Sequence, residues 1–115
     1  MEVKTVKAKR GTFKVANSDE FVGKALLDYG EYGEGEIEVF RQILQPGDVA
    51  IDVGANIGAL TVPMGQLVGE SGSVYAYEPG ANNVDLLRDN LAANVECYWC
   101  VRHCAAGREL SLIHI

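Results

Sequence analysis

Short apolar runs along the chain predict three core strands. The runs lie near Val49–Val53, Ser73–Glu78 and Tyr98–Cys104, and each is rich in β-branched or aromatic residues. Longer segments with apolar residues at helical spacing separate them. Alternating strands and helices predict an α/β fold with a parallel sheet and right-handed crossovers. Upstream of the core, Val3–Val15 predicts two short strands around Gly11.

Four helices are predicted around these strands. They run from a cap at Ser18 or Asp19 to about Tyr29, from Glu36 to Gln45, over Leu60–Val68, and onward from a cap at Asn82 or Asn83. The second and fourth helices carry apolar stripes, formed by Ile37, Phe40 and Leu44 and by Val84, Leu87 and Leu91. Pro63 removes a hydrogen bond inside a helix, so the third helix either begins shortly before it or kinks there.

A glycine-bearing turn follows the first core strand and indicates a ligand site. The turn is Asp52-Val53-Gly54-Ala55-Asn56-Ile57-Gly58, and the next strand ends on Glu78. A strand, a glycine turn, a helix and a second strand with a terminal carboxylate are the parts of a nucleotide-type cofactor site. In such a site the glycines admit the ligand and the carboxylate accepts ribose hydroxyls. The alternative is a tight strand-to-helix turn with no ligand.

The spacing of the glycines decides which cofactor fits. A pyrophosphate fingerprint has the spacing G-x-G-x-x-G, whereas here Gly54 and Gly58 are separated by three residues and Asn56 stands where a middle glycine could be. Asp52 would repel a pyrophosphate but suits a cation that carries an amino group. S-adenosyl-L-methionine (AdoMet), with its sulfonium, ammonium and ribose, therefore fits better than NAD. The predicted cofactor-binding residues in this region are Asp52, Gly54, Ala55, Asn56, Gly58 and Glu78.

Several linked motifs resemble the FkbM-type methyltransferases between about Gly11 and Gly107. They are Leu27-Asp28-Tyr29-Gly30-Glu31-Tyr32, Glu36 with Phe40, Pro46-Gly47-Asp48, Ile51 through Gly58, Leu60-Thr61-Val62-Pro63, Leu67-Val68-Gly69, Val74-Tyr75-Ala76-Tyr77-Glu78-Pro79, Asn90-Leu91 and His103-Cys104-Ala105-Ala106-Gly107. The resemblance implies a class I, Rossmann-like, AdoMet-dependent methyltransferase that often acts on hydroxyl groups of sugars or secondary metabolites.

The same resemblance implies a role for the segment that precedes the first core strand. In methyltransferases of this class such a segment often folds over the cofactor, so Glu31 is expected to contact the amino or substrate end of AdoMet. The alternative is a polar, glycine-rich surface loop. No catalytic residue is assigned from the sequence.

The length of 115 residues limits the chain to one domain, which is too short for a complete class I methyltransferase sheet. We predict N-terminal strands and helices over residues 1–47, the first half of an AdoMet-binding Rossmann-like domain over 48–109, and a tail over 110–115. Leu110 through Ile115 match the translation of mosaic-end DNA used in transposase-based sequencing libraries, so we expect the natural protein to continue differently after about Glu109. The alternative is a short natural strand. The chain by itself is expected to be inactive.

Composition and charge narrow the range of partners. The net charge of −6 argues against a nucleic-acid partner, which usually requires a basic face. No apolar stretch approaches the roughly 20 residues of a membrane span, and the N-terminus lacks the apolar region of a secretory signal. We expect a cytoplasmic protein with a small-molecule or glycan hydroxyl acceptor. The basic residues Lys4, Lys7, Lys9 and Arg10 are interpreted as the solvated side of a strand.

The three cysteines suggest a metal site, but strand geometry favours free thiols. On a strand Cys100 and Cys104 share a face, whereas Cys97 and His103 do not, so no metal is expected. His103 is expected to be structural. Two other classes of function stay open: an NAD-binding oxidoreductase domain and a non-catalytic Rossmann-like binding module.

Overall fold

The computed structural model describes residues 1–104, and its elements follow the predicted order. In chain order they are β1 (Val3–Ala8), β2 (Gly11–Ala16), α1 (Val22–Tyr29), α2 (Glu34–Ile43), β3 (Val49–Val53), α3 (Thr61–Val68), β4 (Ser73–Glu78), α4 (Ala81–Asn94) and β5 (Tyr98–His103). The three predicted core strands are confirmed as β3, β4 and β5. The two predicted N-terminal strands are confirmed as β1 and β2.

The core strands form a parallel sheet in the order β3-β4-β5, and β1 and β2 form a separate antiparallel hairpin. The register places Val53 level with Tyr77, and Glu78 level with His103. The carboxyl ends of all three strands therefore meet at one edge of the sheet. That edge is where ligands bind in open α/β sheets.

Two of the predicted helix caps are wrong. The Oδ1 atom of Asp19 accepts a hydrogen bond from the N–H of Phe21 at 3.0 Å, so it caps a turn just before α1, whose own N-cap is Phe21. The N-cap of α4 is Gly80, not Asn82 or Asn83. The N–H of Gly80 donates to Oε2 of Glu78, so a carboxylate at the end of β4 satisfies this N–H group at the start of α4.

The other helix boundaries follow from backbone hydrogen bonds. Helix α3 begins at Thr61, so Pro63 is its third residue, where an intrahelical N–H bond is not required. The flanking N–H groups of Val62 and Met64 bond to carbonyls of the preceding turn. Of the two predicted alternatives, a start just before Pro63 is the one observed. Helix α2 begins two residues earlier than predicted and ends at Ile43.

The main core lies between the hairpin, α4 and one face of the parallel sheet. The predicted stripe of α4 is confirmed, since Val84, Leu87 and Leu91 are all buried. Phe13 and Val15 of β2 pack into the same cluster. The hairpin is thus part of the folded core, and it covers the helix that flanks the ligand-binding edge.

Strand β3 is the one core strand, among residues 1–104, with an open edge that is strongly apolar. Val49, Ile51 and Val53 are between 44% and 62% exposed, although they are of the types that normally fill a parallel sheet. A groove beside them is lined by Phe40, Ile43, Leu44 and Met64 together with residues of β3.

The end of the chain lies outside the described residues. This applies to the predicted tail over 110–115, the junction at about Glu109 and the resemblance at Ala105, Ala106 and Gly107. None of the helices within residues 1–104 has the length and apolar character needed to cross a membrane.

Candidate functional site

The turn after β3 is held against the end of β4 by backbone hydrogen bonds. The N–H groups of Gly54 and Ala55 both donate to the carbonyl of Tyr77, at 2.8 and 3.1 Å. Gly54 has a φ of +77°, a left-handed conformation that glycine adopts without steric cost. A Cβ atom at Gly54 would meet nothing within 4 Å. This position therefore needs glycine for its backbone conformation, and open space lies above it.

The second half of the turn is packed against α4. Asn56 has a φ of +56°, and its Oδ1 atom accepts a hydrogen bond from the N–H of Ile57 at 2.9 Å, a local bond that helps asparagine adopt this conformation. Gly58 donates to the carbonyl of Ala55 at 3.0 Å. A Cβ atom at Gly58 would lie 3.0 Å from Leu87 of α4, so glycine allows the close approach.

Glu78 is a buried carboxylate that links the turn to the start of α4. It is 6% exposed, and its Oε1 atom accepts a hydrogen bond from the N–H of Asn56 at 2.7 Å. Its Oε2 atom accepts from the N–H of Gly80 at 2.8 Å and from Nδ2 of Asn83 at 3.4 Å. A carboxylate offers about four acceptor positions. Three are occupied by these bonds, so about one remains.

Asp52 is a second, partly buried carboxylate at the same edge. Its Oδ2 atom accepts a hydrogen bond from the hydroxyl of Thr61 at 2.7 Å. Burial raises the pKa of Asp52, the bond from Thr61 opposes this shift, and the charge of Glu78 adds to it. None of the ion pairs found among residues 1–104 includes Asp52. A cationic ligand would supply the missing countercharge.

Four of the predicted residues line one cavity of about 120 Å³. Its lining consists of Val22, Tyr32, Asp52, Gly54, Ala55, Asn56, Ala59 and Leu60. Gly58 and Glu78 are not among the lining residues, and both form hydrogen bonds with residues of the turn. Pockets for small ligands usually measure about 300–1,000 Å³. The cavity therefore has room for one end of AdoMet, and the rest of the molecule would extend beyond it.

Glu31 is not among the residues that line this cavity. Its carboxylate lies 4.0 Å from Nζ of Lys9, and Lys9 also pairs with Glu34 at 3.1 Å. Glu34 forms a bidentate pair with Arg10. Lys9 and Arg10 thus lie in the β1–β2 turn and pair with the start of α2, whereas the sequence predicted that they lie on a strand.

Sequence reasoning did not identify Tyr32 and Val22 as cavity residues. Tyr32 follows Glu31 directly, and its position between Gly30 and Gly33 is the local signal that could have indicated it. Val22 gave no such signal, because an apolar residue at a helix start is ordinary. The segment before β3 therefore reaches the cavity through an aromatic ring and an aliphatic side chain.

Cys97 lies in a core cluster, whereas Cys100 and Cys104 are only partly buried and His103 is exposed. Cys97 is buried with Ala50, Val68 and Val74, and burial raises the pKa of its thiol. Nε2 of His103 lies 2.8 Å from the carbonyl oxygen of Pro79. Among residues 1–104, no group of three or more histidine, cysteine, aspartate or glutamate side chains is arranged to hold a metal ion.

The solved structures that this chain resembles include proteins described as methyltransferases. A protein from Clostridium thermocellum assigned as an rRNA methylase matches with a TM-score of 0.58 and 16% identity, over 63% of this chain and 39% of its own. A SAM-dependent O-methyltransferase from Thermotoga maritima matches with a TM-score of 0.57 and 20% identity, over 88% of this chain and 40% of its own. No protein-family model matches the chain, and neither does any curated protein.

These similarities establish the class of fold. The chain has the Rossmann-like α/β fold found in class I methyltransferases, as the sequence predicted. It spans about two-fifths of the length of these two structures, at 39% and 40%.

Proposed function

We propose that this chain forms the cofactor-binding half of an AdoMet-dependent methyltransferase of the FkbM type. The observation that carries the proposal is the Asp52 carboxylate. It lines a cavity above a turn whose own N–H groups are already bonded within the protein. Such a cavity is prepared for a cation and not for an anion. The assignment to the FkbM type is supported by the linked sequence motifs.

The hydrogen bonds of the turn argue against a pyrophosphate ligand. Dinucleotide sites hold the pyrophosphate with free N–H groups at a turn and helix N-terminus. Here every N–H from residue 54 to residue 58 has an acceptor inside the protein. Two carboxylates, Asp52 and Glu78, stand at the same edge and would repel phosphate charge. The NAD-binding alternative therefore loses support.

The residues present fit the chemical groups of AdoMet. Asp52 would pair with the ammonium end of the ligand in the cavity. Glu78 would accept one ribose hydroxyl at its remaining acceptor position. Gly54 would let the ligand approach the backbone, because no side chain fills the space above it. The resemblance also gave Glu31 a contact with the ligand; this stays a proposal, and it requires Glu31 to leave Lys9.

The proposed reaction is methyl transfer to a hydroxyl oxygen of a sugar or secondary metabolite. Bound AdoMet would supply an electrophilic methyl group to the acceptor oxygen. The carbon–sulfur bond would break to leave a neutral thioether, and the hydroxyl proton would pass to a general base, for which no residue is assigned. The protein would contribute mainly by aligning acceptor and methyl group, which can lower a barrier by roughly 7–11 kcal/mol. The acceptor class rests on the FkbM resemblance. Methylation of nitrogen or carbon in the products, or hydride transfer, would contradict it.

Substitution of Gly54 tests the binding site. Gly54→Val should abolish AdoMet binding in isothermal titration calorimetry, because the side chain would occupy the cavity. Gly30→Val is the matched control, since Gly30 has a similar φ of +72° and also has open space around its Cβ position, but does not line the cavity. Both variants carry the same kind of backbone strain. Equal affinities in the two variants would disprove the site.

Substitution of Glu78 tests the second carboxylate. Glu78→Ala should weaken AdoMet binding by about 1–3 kcal/mol, the usual consequence of leaving buried hydrogen-bonding groups without a partner. Part of this loss would come from the turn, because Asn56 also loses its acceptor. Thermal melts of the free variant separate the two contributions. An unchanged affinity for AdoMet would show that Glu78 does not contribute to binding.

A direct comparison of ligands distinguishes an AdoMet site from an NAD site. Calorimetric titration with AdoMet and with NAD should give heat for AdoMet only. Binding of AdoMet without turnover in any longer form of the protein would favour the non-catalytic binding module over the enzyme.

A further inference from the structure

Two asparagines of α4 complete the free edge of strand β2. Asn94 accepts a hydrogen bond from the N–H of Thr12 at 3.0 Å and donates to its carbonyl at 2.8 Å. Asn90 accepts from the N–H of Lys14 at 2.7 Å and donates to its carbonyl at 3.1 Å. Each side-chain amide therefore pairs with one residue of β2 as a neighbouring strand would.

The spacing of helix and strand explains why both pairs form. Residues two apart on a strand present their backbone groups on the same edge, about 6.6–6.8 Å apart. Residues four apart on a helix lie on the same face, about 6 Å apart along the axis. Asn90 is thus in register with Lys14, and Asn94 with Thr12.

Asn90 differs from Asn94 in its remaining donor. The second N–H of its amide donates to the carbonyl of Ile57 in the cofactor turn at 2.8 Å, and Asn90 is 1% exposed. The second N–H of Asn94 bonds instead within the helix, to the carbonyl of Asn90. Of the two asparagines, only Asn90 connects the hairpin to the cofactor turn.

We infer that Asn90 is a positioning residue for the cofactor turn. Its amide joins the Ile57 carbonyl to strand β2, and so fixes the peptide between Asn56 and Gly58, two residues with positive φ. The N–H of Asn56 is the group that Glu78 holds on the other side of the turn. Glu78 and Asn90 therefore hold two adjacent residues of the turn, Asn56 and Ile57. The effect on ligand affinity rests on the proposed AdoMet function.

Asn90→Leu and Asn94→Leu test this inference as a matched pair. Each removes one asparagine–strand pair with a side chain of similar size, so both should lower the melting temperature. Asn90→Leu alone should speed hydrogen–deuterium exchange of the turn amides at Asn56 and Gly58 in the free protein. It should also lower AdoMet affinity about five- to tenfold, as expected when a turn loses one ordering hydrogen bond. Asn94→Leu should leave affinity within about twofold.

The outcomes distinguish a failed inference from a failed function. If wild type binds AdoMet and the two variants show equal exchange at the turn and equal affinity, Asn90 has no positioning role. If wild type does not bind AdoMet, the proposed function fails, and the exchange comparison still decides the role of Asn90. Should Asn90→Leu not fold, Asn90→Ser and Asn94→Ser give the same comparison with a smaller loss of stability.

Discussion

At the residue scale, Asp52 is a partly buried carboxylate without a countercharge among residues 1–104. It is partly buried near a second carboxylate, Glu78, and among the described residues it accepts a hydrogen bond from the hydroxyl of Thr61. Burial of a charge without a countercharge is unfavourable. The contrast with Glu34 is clear, because Arg10 and Lys9 lower the pKa of Glu34. Asp52 is therefore a candidate for ligand pairing.

The raised pKa of Asp52 predicts a pH-dependent effect on stability. The folded protein binds the Asp52 proton more tightly than the unfolded chain, so the free energy of unfolding falls as pH rises from about 4 through the raised pKa. Asp52→Asn removes this loss, and the variant should melt at a higher temperature than wild type at pH 7, with a smaller difference near pH 4. AdoMet affinity should fall in the same variant.

Thermal melts from pH 4 to pH 8 check this prediction. Asp85→Asn is the control, because it removes the same charge from an exposed position on α4. A stability difference between wild type and Asp52→Asn that stays constant with pH would contradict the assignment.

At the scale of elements, α3 packs closely on the segment after α4 through a glycine. A Cβ atom at Gly65 would lie 2.8 Å from Cγ1 of Val95 and 3.2 Å from the sulfur of Cys97. Val95 is β-branched and stiff, and Cys97 is buried, so neither can move freely. The helix therefore keeps a residue of poor helix propensity to allow this contact.

Gly65→Ala should destabilise the protein although alanine favours helix. The helical gain is about 1 kcal/mol, whereas overpacking typically costs about 1–3 kcal/mol, so a net loss of up to about 2 kcal/mol is expected. Gly35→Ala in α2 is the matched control, because its Cβ position has nothing within 4 Å. That variant should gain about 0.4–1 kcal/mol. Denaturant unfolding measures both, and a stabilised Gly65→Ala would show that the contact is loose.

At the scale of the whole molecule, we expect the open edge of β3 to promote association between chains. Its exposed Val49, Ile51 and Val53 lie beside an apolar groove. An uncovered apolar edge strand is a template for association between chains. The sheet order β3-β4-β5 places β3 at this edge.

We predict that the 115-residue chain alone is marginally stable, self-associates and has no methyltransferase turnover. Ile51→Lys should reduce self-association in sedimentation velocity, because charge on an edge strand opposes pairing. Phe21→Lys adds the same charge at another exposed apolar residue, away from the edge, and should not. A sharp, cooperative melt of soluble wild-type monomer would contradict the stability prediction, and product formation would contradict the absence of turnover.

The sequence was a good guide wherever the signal was local. The strands were found from short β-rich runs, and the buried stripe of α4 from its helical spacing. Helix starts were less well predicted, because the same polar residues serve other partners. Asn83 was expected to cap α4, but its amide lies near Glu78, whose carboxylate already accepts the N–H of Gly80.

By itself the sequence determined the order of elements, the fold class and the acidic character of the site. These depend on periodicity and on residue type, which neighbouring positions reveal. Three contacts were decided only by the tertiary structure. Glu78 accepts hydrogen bonds from the turn and from the start of α4, Glu31 pairs with Lys9, and Asn90 joins the turn to β2. The bonds of Asn90 connect residues 76 and 33 positions apart. Partners at such separations are fixed by packing of the whole chain, and no local pattern can specify them.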